Sequence, residues 1–351
     1  QRAWLGVVLG TASLAGCAGA PPPEPTLPAT PGRATLGIAY TGSFADHQLS
    51  RFTHELATTG VVDVVVDDRY DTDTYGVEQE IVAAVASGDL DLGLVGARAF
   101  ADLGVHDFDP LVAPMLIDSL ATERAVLASD LPDRMLDGLE PLGVTGLAVV
   151  GGPLRRPIAG GEALLEPADF EGIVFHSWRG QVSREAVTAL GATSVDLAPP
   201  ERNAGLEDGS IRGYENTLDY FTHALERRAN TMTANLNLWP SVGVLIANPA
   251  SLAGLEPVQR EALVDAAEQT AVLALDTLLP EDDLAEEACR GGGRLVLASV
   301  AALADFERAF GPVRAALAAQ PGIGEAIAEI ERLKDGRAAD AVPVPPDCRT
   351  G

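Results

Sequence analysis

The 351-residue chain is poor in basic residues, with 24 lysines and arginines against 51 aspartates and glutamates and a formal net charge of -27. Because a nucleic-acid backbone requires a basic protein surface, this deficit excludes nucleic-acid binding as a main function. Long apolar runs are also missing after the first 16 residues. Since a membrane-spanning helix needs about 18 uncharged residues, we expect no transmembrane helix in the rest of the chain.

Motifs for covalent or metal chemistry are missing as well. The acidic run at 67–73 begins like a calcium loop, but Val82 stands where that loop needs a bidentate glutamate. Serine-hydrolase, P-loop and dinucleotide-binding motifs are absent. No HExxH motif and no i, i+4 pair occurs among the histidines, which are His47, His54, His106, His176 and His223. We therefore expect no enzymatic activity, no metal and no cofactor.

Cysteine is rare, and the first of three cysteines, Cys17, ends the sequence LAGC. Residues 4–13 are apolar but too short to span a membrane, which is typical of a signal peptide. The small residues before Cys17 resemble a bacterial lipobox. We expect residues 1–16 to be a signal peptide and residues 17–33 a lipidated, Pro-rich tether, which anchors an extracytoplasmic protein to the cell membrane. A signal peptide with a chance cysteine is the alternative.

Lipidation of Cys17 leaves Cys289 and Cys348 as a pair of thiols. In an oxidising exterior such a pair favours a disulfide. The bond would hold the Pro-rich tail, residues 336–351, against the body of the protein. Two free thiols are the alternative.

Predicted strands and helices alternate along most of the chain. The strands are expected at 34–40, 61–66, 90–95, 144–150, 172–176, 242–247 and 294–297. The helices are expected at 48–58, 77–87, 120–138, 181–190, 257–278 and 301–319. This alternation predicts an α/β fold with mostly parallel sheets. The length is sufficient for two domains.

Several segments fall in the order and at the spacing of one known family. They read VASGDLDL at 85–92, LEPADFEGIVF at 165–175, ALGA at 189–192, LEDGSIRGYEN at 206–216, and WP, VGVLIAN and LEPVQR within 239–260. Together they resemble the DctP-type solute-binding proteins of TRAP transporters, over roughly residues 34–334. The resemblance implies a monomeric receptor that binds a small organic acid and delivers it to a membrane permease.

The same resemblance implies a two-lobed clamshell, like periplasmic binding proteins, with mixed, mostly parallel sheets joined by hinge strands. Its lobes close on the ligand by hinge motion. Residues 34–147 and 239–262 are expected to form lobe 1. Residues 148–238 and 263–335 are expected to form lobe 2 and the hinge helices.

The family clamps a ligand carboxylate with an arginine at the end of a strand in lobe 2, but His176 stands at that position here. Imidazole cannot form the two parallel hydrogen bonds of a guanidinium, which puts a standard dicarboxylate ligand in doubt. Arg179 could reach the same space, and Trp178 could form an apolar wall. Asn216 matches a family asparagine that offers a donor and an acceptor. Core packing or surface exposure is the alternative for these residues.

Five further residues are weaker candidates for ligand contacts. Tyr214 and Trp239 flank the presumed cleft. Arg155 and Arg156 follow a glycine pair, where relatives carry one arginine, and either could point inward. Glu78 heads a predicted helix of lobe 1 and could face the ligand. Two other functions stay open: a lipid-anchored sensory or scaffold protein, and an exported hydrolase.

Overall fold

The computed structural model describes residues 32–41, 43–70, 74–224 and 229–349. The expected signal peptide, Cys17 and most of the expected tether therefore lie outside the described residues. None of the helices in these ranges is long and apolar enough to cross a membrane.

Strands in the described ranges are short. They are β1 (Ala34–Tyr40), β2 (Val62–Val66), β3 (Leu92–Gly96), β4 (Thr145–Val150), β5 (Leu154–Ala159), β6 (Val174–His176), β7 (Thr193–Val195), β8 (Gly213–Thr217), β9 (Thr231–Thr233), β10 (Trp239–Pro240), β11 (Gly243–Ala247) and β12 (Arg294–Val296). β3, β8 and β11 are buried along their whole length, as expected for central strands covered on both faces.

Helices lie between these strands. They are α1 (Ser43–Thr59), α2 (Val77–Ser87), α3 (Leu120–Leu127), α4 (Leu131–Asp137), α5 (Gln181–Ala189), α6 (Pro199–Asp208), α7 (Leu218–His223), α8 (Pro249–Gly254), α9 (Pro257–Leu273), α10 (Glu281–Arg290), α11 (Val300–Ala318) and α12 (Ile323–Lys334). Local sequence sets several ends: Gly88 ends α2 in the left-handed conformation, at φ 86°, and Glu256 with Gln259 forms a capping box that starts α9.

The first lobe is built on a five-stranded sheet of order β2-β1-β3-β11-β4. Leu36 and Ile38 of β1 pack with Phe52 of α1 and Leu263 of α9 on one face of this sheet. On the other face α2 contacts β3 and α4 contacts β4. Helices therefore cover both faces, as in other α/β domains.

The second lobe is built on a sheet of order β12-β9-β5-β8-β6-β7, with β10 added beside β5. Ile158, Leu206, Phe221 and Leu284 form a core between this sheet and helices α6, α7 and α10. Phe175 packs on the opposite face, toward α5 and α11. The two-lobed α/β fold expected from the sequence is thus confirmed.

Two of the chain crossings between the lobes run side by side. One leads from β4 through residues 151–153 into β5, and the other leads from β10 through residues 241–242 into β11. Ser241 N donates to the Pro153 carbonyl at 2.9 Å. Every antiparallel pairing in the described sheets involves one of these four strands, and the other pairings are parallel. We call residues 151–153 and 241–242 the hinge.

The structure moves two of the expected lobe boundaries. β4 stays in the first sheet as far as Val150, three residues beyond the expected limit at 147. The expected limit at 262 falls inside α9, and this helix packs against α1 and β4 of the first lobe. Leu263 and Ala267 of α9 belong to the first-lobe core, so the chain returns to the second lobe only at α10.

The C-terminal segment crosses from the first lobe to the second. α12 packs on α3, and Lys334 Nζ lies 2.8 Å from Asp118 Oδ2. Farther along, Val342 N donates to the Ala234 carbonyl at 3.0 Å. The expected disulfide between Cys289 and Cys348 is present and fastens the tail to α10.

Candidate functional site

The carboxyl ends of four strands face the junction between the lobes. β1 and β3 run parallel toward the hinge, because Gly96 at the end of β3 pairs with Gly243 at the start of β11. β6 and β8 also run parallel toward the hinge, because Thr217 at the end of β8 pairs with Arg155 of β5. Open α/β sheets bind ligands outside the carboxyl ends of their strands. We call the region between these four strand ends the cleft.

On the first-lobe side a buried glutamate holds an arginine. Glu78, 2% exposed at the start of α2, accepts hydrogen bonds from Arg98 Nη2 at 3.0 and 2.9 Å. Thr41 Oγ1 and Gly96 N also donate to Glu78, at 3.1 and 3.0 Å. Glu78, which was expected to face the ligand, is therefore hydrogen-bonded to Arg98 and holds that arginine in place. Arg98 is the positively charged side chain that the first lobe contributes to the cleft.

On the second-lobe side Glu215 plays the same role for Arg155. Arg155 forms a close ion pair with the Glu215 carboxylate through Nε, and its Nη2 donates to the Glu215 carbonyl at 3.0 Å. The Glu215 carboxylate also accepts from Trp178 N at 2.9 Å. Arg155 Nη1 reaches Ser241 Oγ of the hinge at 3.3 Å. Glu215 therefore joins the loop after β6, strand β5 and the hinge.

Arg179 extends from the second lobe to the first. It is 3% exposed, and its Nη2 donates to the Thr74 carbonyl at 3.1 Å. Its guanidinium lies 4.2 Å from the centre of the Tyr75 ring, a cation–π distance. Asp196 Oδ1 lies 3.8 Å from its Nε, beyond hydrogen-bond length. Arg179 thus links the lobes directly.

Trp178 lies between two of the cleft arginines. Its ring centre is 5.7 Å from the Arg98 guanidinium of the first lobe and 5.8 Å from that of Arg179. An aromatic face at this distance attracts each cation. The expected aromatic wall therefore contacts charged groups from both lobes.

Three arginines lie close enough in the cleft to affect one another. Burial lowers the pKa of Arg98, and the charges of Arg155 and Arg179 lower it further, whereas Glu78 and Glu215 oppose this. Arg98 Nε and Arg179 Nε and Nη1 are buried and have no hydrogen-bond partner among the residues that the structure describes. Since buried donors are normally paired, these three N–H groups are suited to the oxygens of an anion.

His176 is buried beside the cleft and carries no charge near neutral pH. Its Nε2 lies 3.0 Å from the Leu197 carbonyl, so Nε2 holds the proton and Nδ1 is left as an acceptor. Burial lowers the pKa of His176 to about 4, and the charges of Arg202 and Arg155 add to this effect. His176 cannot replace the positive charge of the arginine that the family resemblance places there.

Arg156 and Asn216 lie on the opposite face of the second sheet from Arg155. Arg156 is fully buried and binds Glu281 and Asn237 at 2.8 and 2.7 Å, so Arg155 is the arginine that faces the cleft. Asn216 pairs with Arg156 across the strands, is 9% exposed, and accepts a hydrogen bond from Thr217 N at 2.9 Å.

The two aromatic candidates are core residues. Tyr214 is fully buried, with the Arg202 guanidinium 4.9 Å from its ring centre. Trp239, 2% exposed, packs in the core beside the hinge.

Arg98 was missed by the sequence reasoning. It follows β3 at its carboxyl end, so the rule that ligands bind at this end of a parallel strand would have found it. Within the described ranges, no group of three or more histidine, cysteine, aspartate or glutamate side chains is arranged to hold a metal ion.

A sequence model of bacterial extracellular solute-binding protein family 7, DctP, matches residues 47–320. The chain belongs to this family. A solute-binding protein of Verminephrobacter eiseniae is 25% identical to this DctP-family chain over 260 residues, 72% of the chain and 77% of the relative. The C4-dicarboxylate-binding periplasmic protein DctP of Rhodobacter capsulatus is 27% identical over 162 residues, 46% of the chain and 47% of that protein.

Solved structures share the fold of this DctP-family chain. A TRAP periplasmic solute-binding protein of Ralstonia eutropha H16, with bound (S)-2-acetolactate, has a TM-score of 0.74 at 16% identity. The shared part is 85% of this chain and 98% of that one. An extracytoplasmic solute receptor of Bordetella pertussis that binds pyroglutamic acid has a TM-score of 0.75 at 15% identity, over 85% of this chain and 99% of that one.

Proposed function

We propose that the protein is an extracytoplasmic receptor that binds a small organic anion in the cleft and delivers it to a TRAP-type membrane permease. The observation that carries this proposal is a group of three arginines at the junction of the lobes: Arg98 and Arg179 follow the carboxyl ends of β3 and β6, and Arg155 lies at the start of β5, beside the hinge. The buried N–H groups of Arg98 and Arg179 that have no partner among the described residues offer charge-assisted hydrogen bonds to carboxylate oxygens. Membership of a solute-binding family supports the same conclusion.

Ligand binding is proposed to be coupled to closure of the lobes. Closure brings Arg98 of the first lobe near Arg155 and Arg179 of the second, where their charges repel one another. A carboxylate between them offsets this repulsion, and its attraction to the arginines is stronger where closure excludes water, so it binds the closed form better than the open form. The differential affinity is what shifts the population toward closure.

The anion is proposed to carry a carboxylate. Solved relatives bind acetolactate and pyroglutamic acid, which both carry this group. In the family pattern an arginine at this position would supply a positive charge, and the neutral His176 does not. A cleft with one positive charge fewer favours a ligand with one carboxylate over a ligand with two.

The membrane anchor is part of the proposal and rests on the sequence around Cys17. A lipidated cysteine followed by a Pro-rich tether would keep the receptor close to the permease. No finding favours the sensory or scaffold alternative over transport.

A thermal-shift screen tests the binding proposal. The panel contains monocarboxylates with hydroxyl or keto groups, dicarboxylates, uronates and amino acids. One class should stabilise the chain, by about 2.7 kcal/mol at 100 times its Kd. Arg98→Ala and Arg179→Ala should each weaken binding of that class by roughly 10- to 100-fold, because each loses charged hydrogen bonds worth about 1.5–3 kcal/mol.

Arg308→Ala is the matched control, because Arg308 is a surface arginine of α11 with a 70% exposed side chain. This variant should bind like the native chain. The absence of stabilisation by every compound class would contradict the proposal, as would equal losses in Arg308→Ala and Arg179→Ala.

A further inference from the structure

One acidic side chain of the second lobe stands at the edge of the cleft. Asp196 follows β7 at its carboxyl end, and β7 runs parallel to β6. Ser177 N donates to the Val195 carbonyl at 3.1 Å, so the two strands stay together beyond the end of β6. Asp196 therefore lies at the same end of the sheet as Trp178 and Arg179, where open α/β sheets bind ligands.

An oxygen of Asp196 lies beside an N–H group of Arg179, and the two are not bonded to each other. Asp196 Oδ1 and Arg179 Nε are both buried, and neither has a hydrogen-bond partner within the ranges that the structure covers. They are 3.8 Å apart, which is too long for a direct hydrogen bond. Since buried donors and acceptors are normally paired, these two groups are suited to one ligand atom that accepts from Arg179 and donates to Asp196.

The polar groups of small organic anions differ in whether they can bind both residues at once. A hydroxyl oxygen accepts and donates, whereas a keto or carboxylate oxygen only accepts and would leave Asp196 unpaired. An ammonium group only donates, and its charge is repelled by Arg98 and Arg179. A hydroxyl group is therefore the one that fits this position.

The surroundings of Asp196 support its role as an acceptor. Burial raises the pKa of Asp196, and the charges of Arg179 and Arg98, the backbone N–H of Arg179 and the charge of Arg184 oppose this. These positive charges favour the ionised carboxylate, whose oxygens only accept hydrogen bonds. Two other buried N–H groups without a partner in the described chain, Arg98 Nε and Arg179 Nη1, remain for the carboxylate of the ligand.

We propose that Asp196 is a specificity-determining residue of the cleft, which accepts a hydrogen bond from a hydroxyl group of the ligand, and that the ligand is therefore a hydroxycarboxylate. This inference rests on the receptor function proposed above. The hydroxyl oxygen accepts from Arg179 Nε and donates to Asp196 Oδ1, and two hydrogen bonds of about 2.9 Å easily span the distance between these atoms. A ligand without the hydroxyl group leaves a buried carboxylate oxygen unpaired, which is the strongest basis for rejecting an analogue.

The affinities of matched acids test this proposal. Each set shares one carbon skeleton and carries a hydroxyl group, an oxo group or neither. The sets are lactate, pyruvate and propionate; 3-hydroxybutyrate, acetoacetate and butyrate; and 2-hydroxy-4-methylpentanoate, 4-methyl-2-oxopentanoate and 4-methylpentanoate. In calorimetric titrations of the native chain, the hydroxy acid of at least one set should bind about 10- to 100-fold more tightly than its oxo acid, the usual value of a hydrogen bond to a charged group.

Substitution of Asp196 should remove this preference. In Asp196→Asn the ratio of the two affinities should fall to about one, because the amide accepts from a hydroxyl group and donates to an oxo group equally well. Asp196→Ala should give the same ratio, and it replaces Asp196→Asn if the latter does not fold. Asp282→Asn, at an exposed aspartate of α10 in the second lobe, is the matched control and should keep the native ratio.

Four results would overturn the proposal. They are equal affinities of hydroxy and oxo acids in the native chain, no binding of any acid in the three sets, tighter binding of free L-alanine than of lactate, and an unchanged ratio in Asp196→Asn. If that variant binds both acids more weakly at the native ratio, Asp196 only positions Arg179. None of these results decides the receptor proposal, which fails only if no compound of its own wider screen binds.

Discussion

At the scale of the residue, burial rather than sequence position decides the chemistry of His176. The pKa of a histidine in an unfolded chain is about 6.5, and in the folded chain burial lowers that of His176 to about 4. Between these values the unfolded chain binds one more proton than the folded chain. The contribution of a neutral His176 to stability is therefore complete above about pH 6.5 and is lost as the pH falls toward 4.

His176→Gln tests this assignment, because a glutamine amide can still donate to the Leu197 carbonyl without taking up a proton. The native free energy of unfolding should fall on acidification from pH 6.5 to 4.5. In the variant this slope should be smaller by about 1.4 kcal/mol per pH unit. Urea unfolding at several pH values measures it, with exposed His54→Gln as the control that keeps the native slope. Equal slopes in native chain and His176→Gln would refute a buried neutral His176.

The sequence predicted the position of the cleft better than the role of its residues. Arg179 and Trp178 follow β6 between the lobes, and their contact with a ligand stays a prediction; Arg179 also binds the first lobe through Thr74 and Tyr75. The choice between Arg155 and Arg156 could not be made from the sequence. Neighbouring residues of a strand point to opposite faces, and only the register with β8 shows which face meets the cleft.

At the scale of the element, strands with apolar β-branched residues were predicted well. The strand expected at 34–40 matches β1, and that at 144–150 matches β4 within one residue. β5 and β8 were not predicted, because LRRPIA and GYENT lack the alternation of apolar and polar residues that marks a strand. Their pairing with each other, next to the hinge, stabilises these strands instead.

The hinge depends on a glycine whose substitution can be tested. A Cβ at Gly152 would overlap the Ser241 carbonyl oxygen of the second crossing. Gly152→Ala should therefore separate the two crossings and lower the free energy of unfolding by about 1–3 kcal/mol, the usual cost of overpacking. Gly254→Ala is the control, because among the described residues no atom outside its chain neighbours and its own helix backbone lies within 4 Å of the added methyl group; it should be neutral or slightly stabilising. Urea unfolding compares them, and an unchanged Gly152→Ala would contradict a tightly packed hinge.

At the scale of the whole molecule, each lobe has an apolar core of its own, and a further apolar cluster contains residues of both lobes. The largest apolar cluster joins Phe100 and Phe108, on the first-lobe side, to Phe170 and Phe175 of the second lobe. Phe306 of α11 meets Phe170 with ring centres 5.8 Å apart. Residues 32–351 consequently cluster as one compact unit. Contacts between segments so distant in sequence could not be deduced from local patterns, which explains the misplaced boundary in α9.

A disulfide bond links the tail covalently to the second lobe, and removal of this bond tests how much it stabilises the fold. The disulfide joins cysteines 59 positions apart, and between α12 and the disulfide the tail binds Leu120 of the first lobe and Ala234 of the second. Replacing both cysteines by serine should lower the free energy of unfolding by about 2–4 kcal/mol, because the unfolded chain regains the freedom of an open loop.

Urea unfolding measures the loss. A reductant should reproduce it in the native chain and have no effect on the double variant. Full labelling of Cys289 and Cys348 by a thiol reagent in the unreduced, folded protein would show that the bond is not formed.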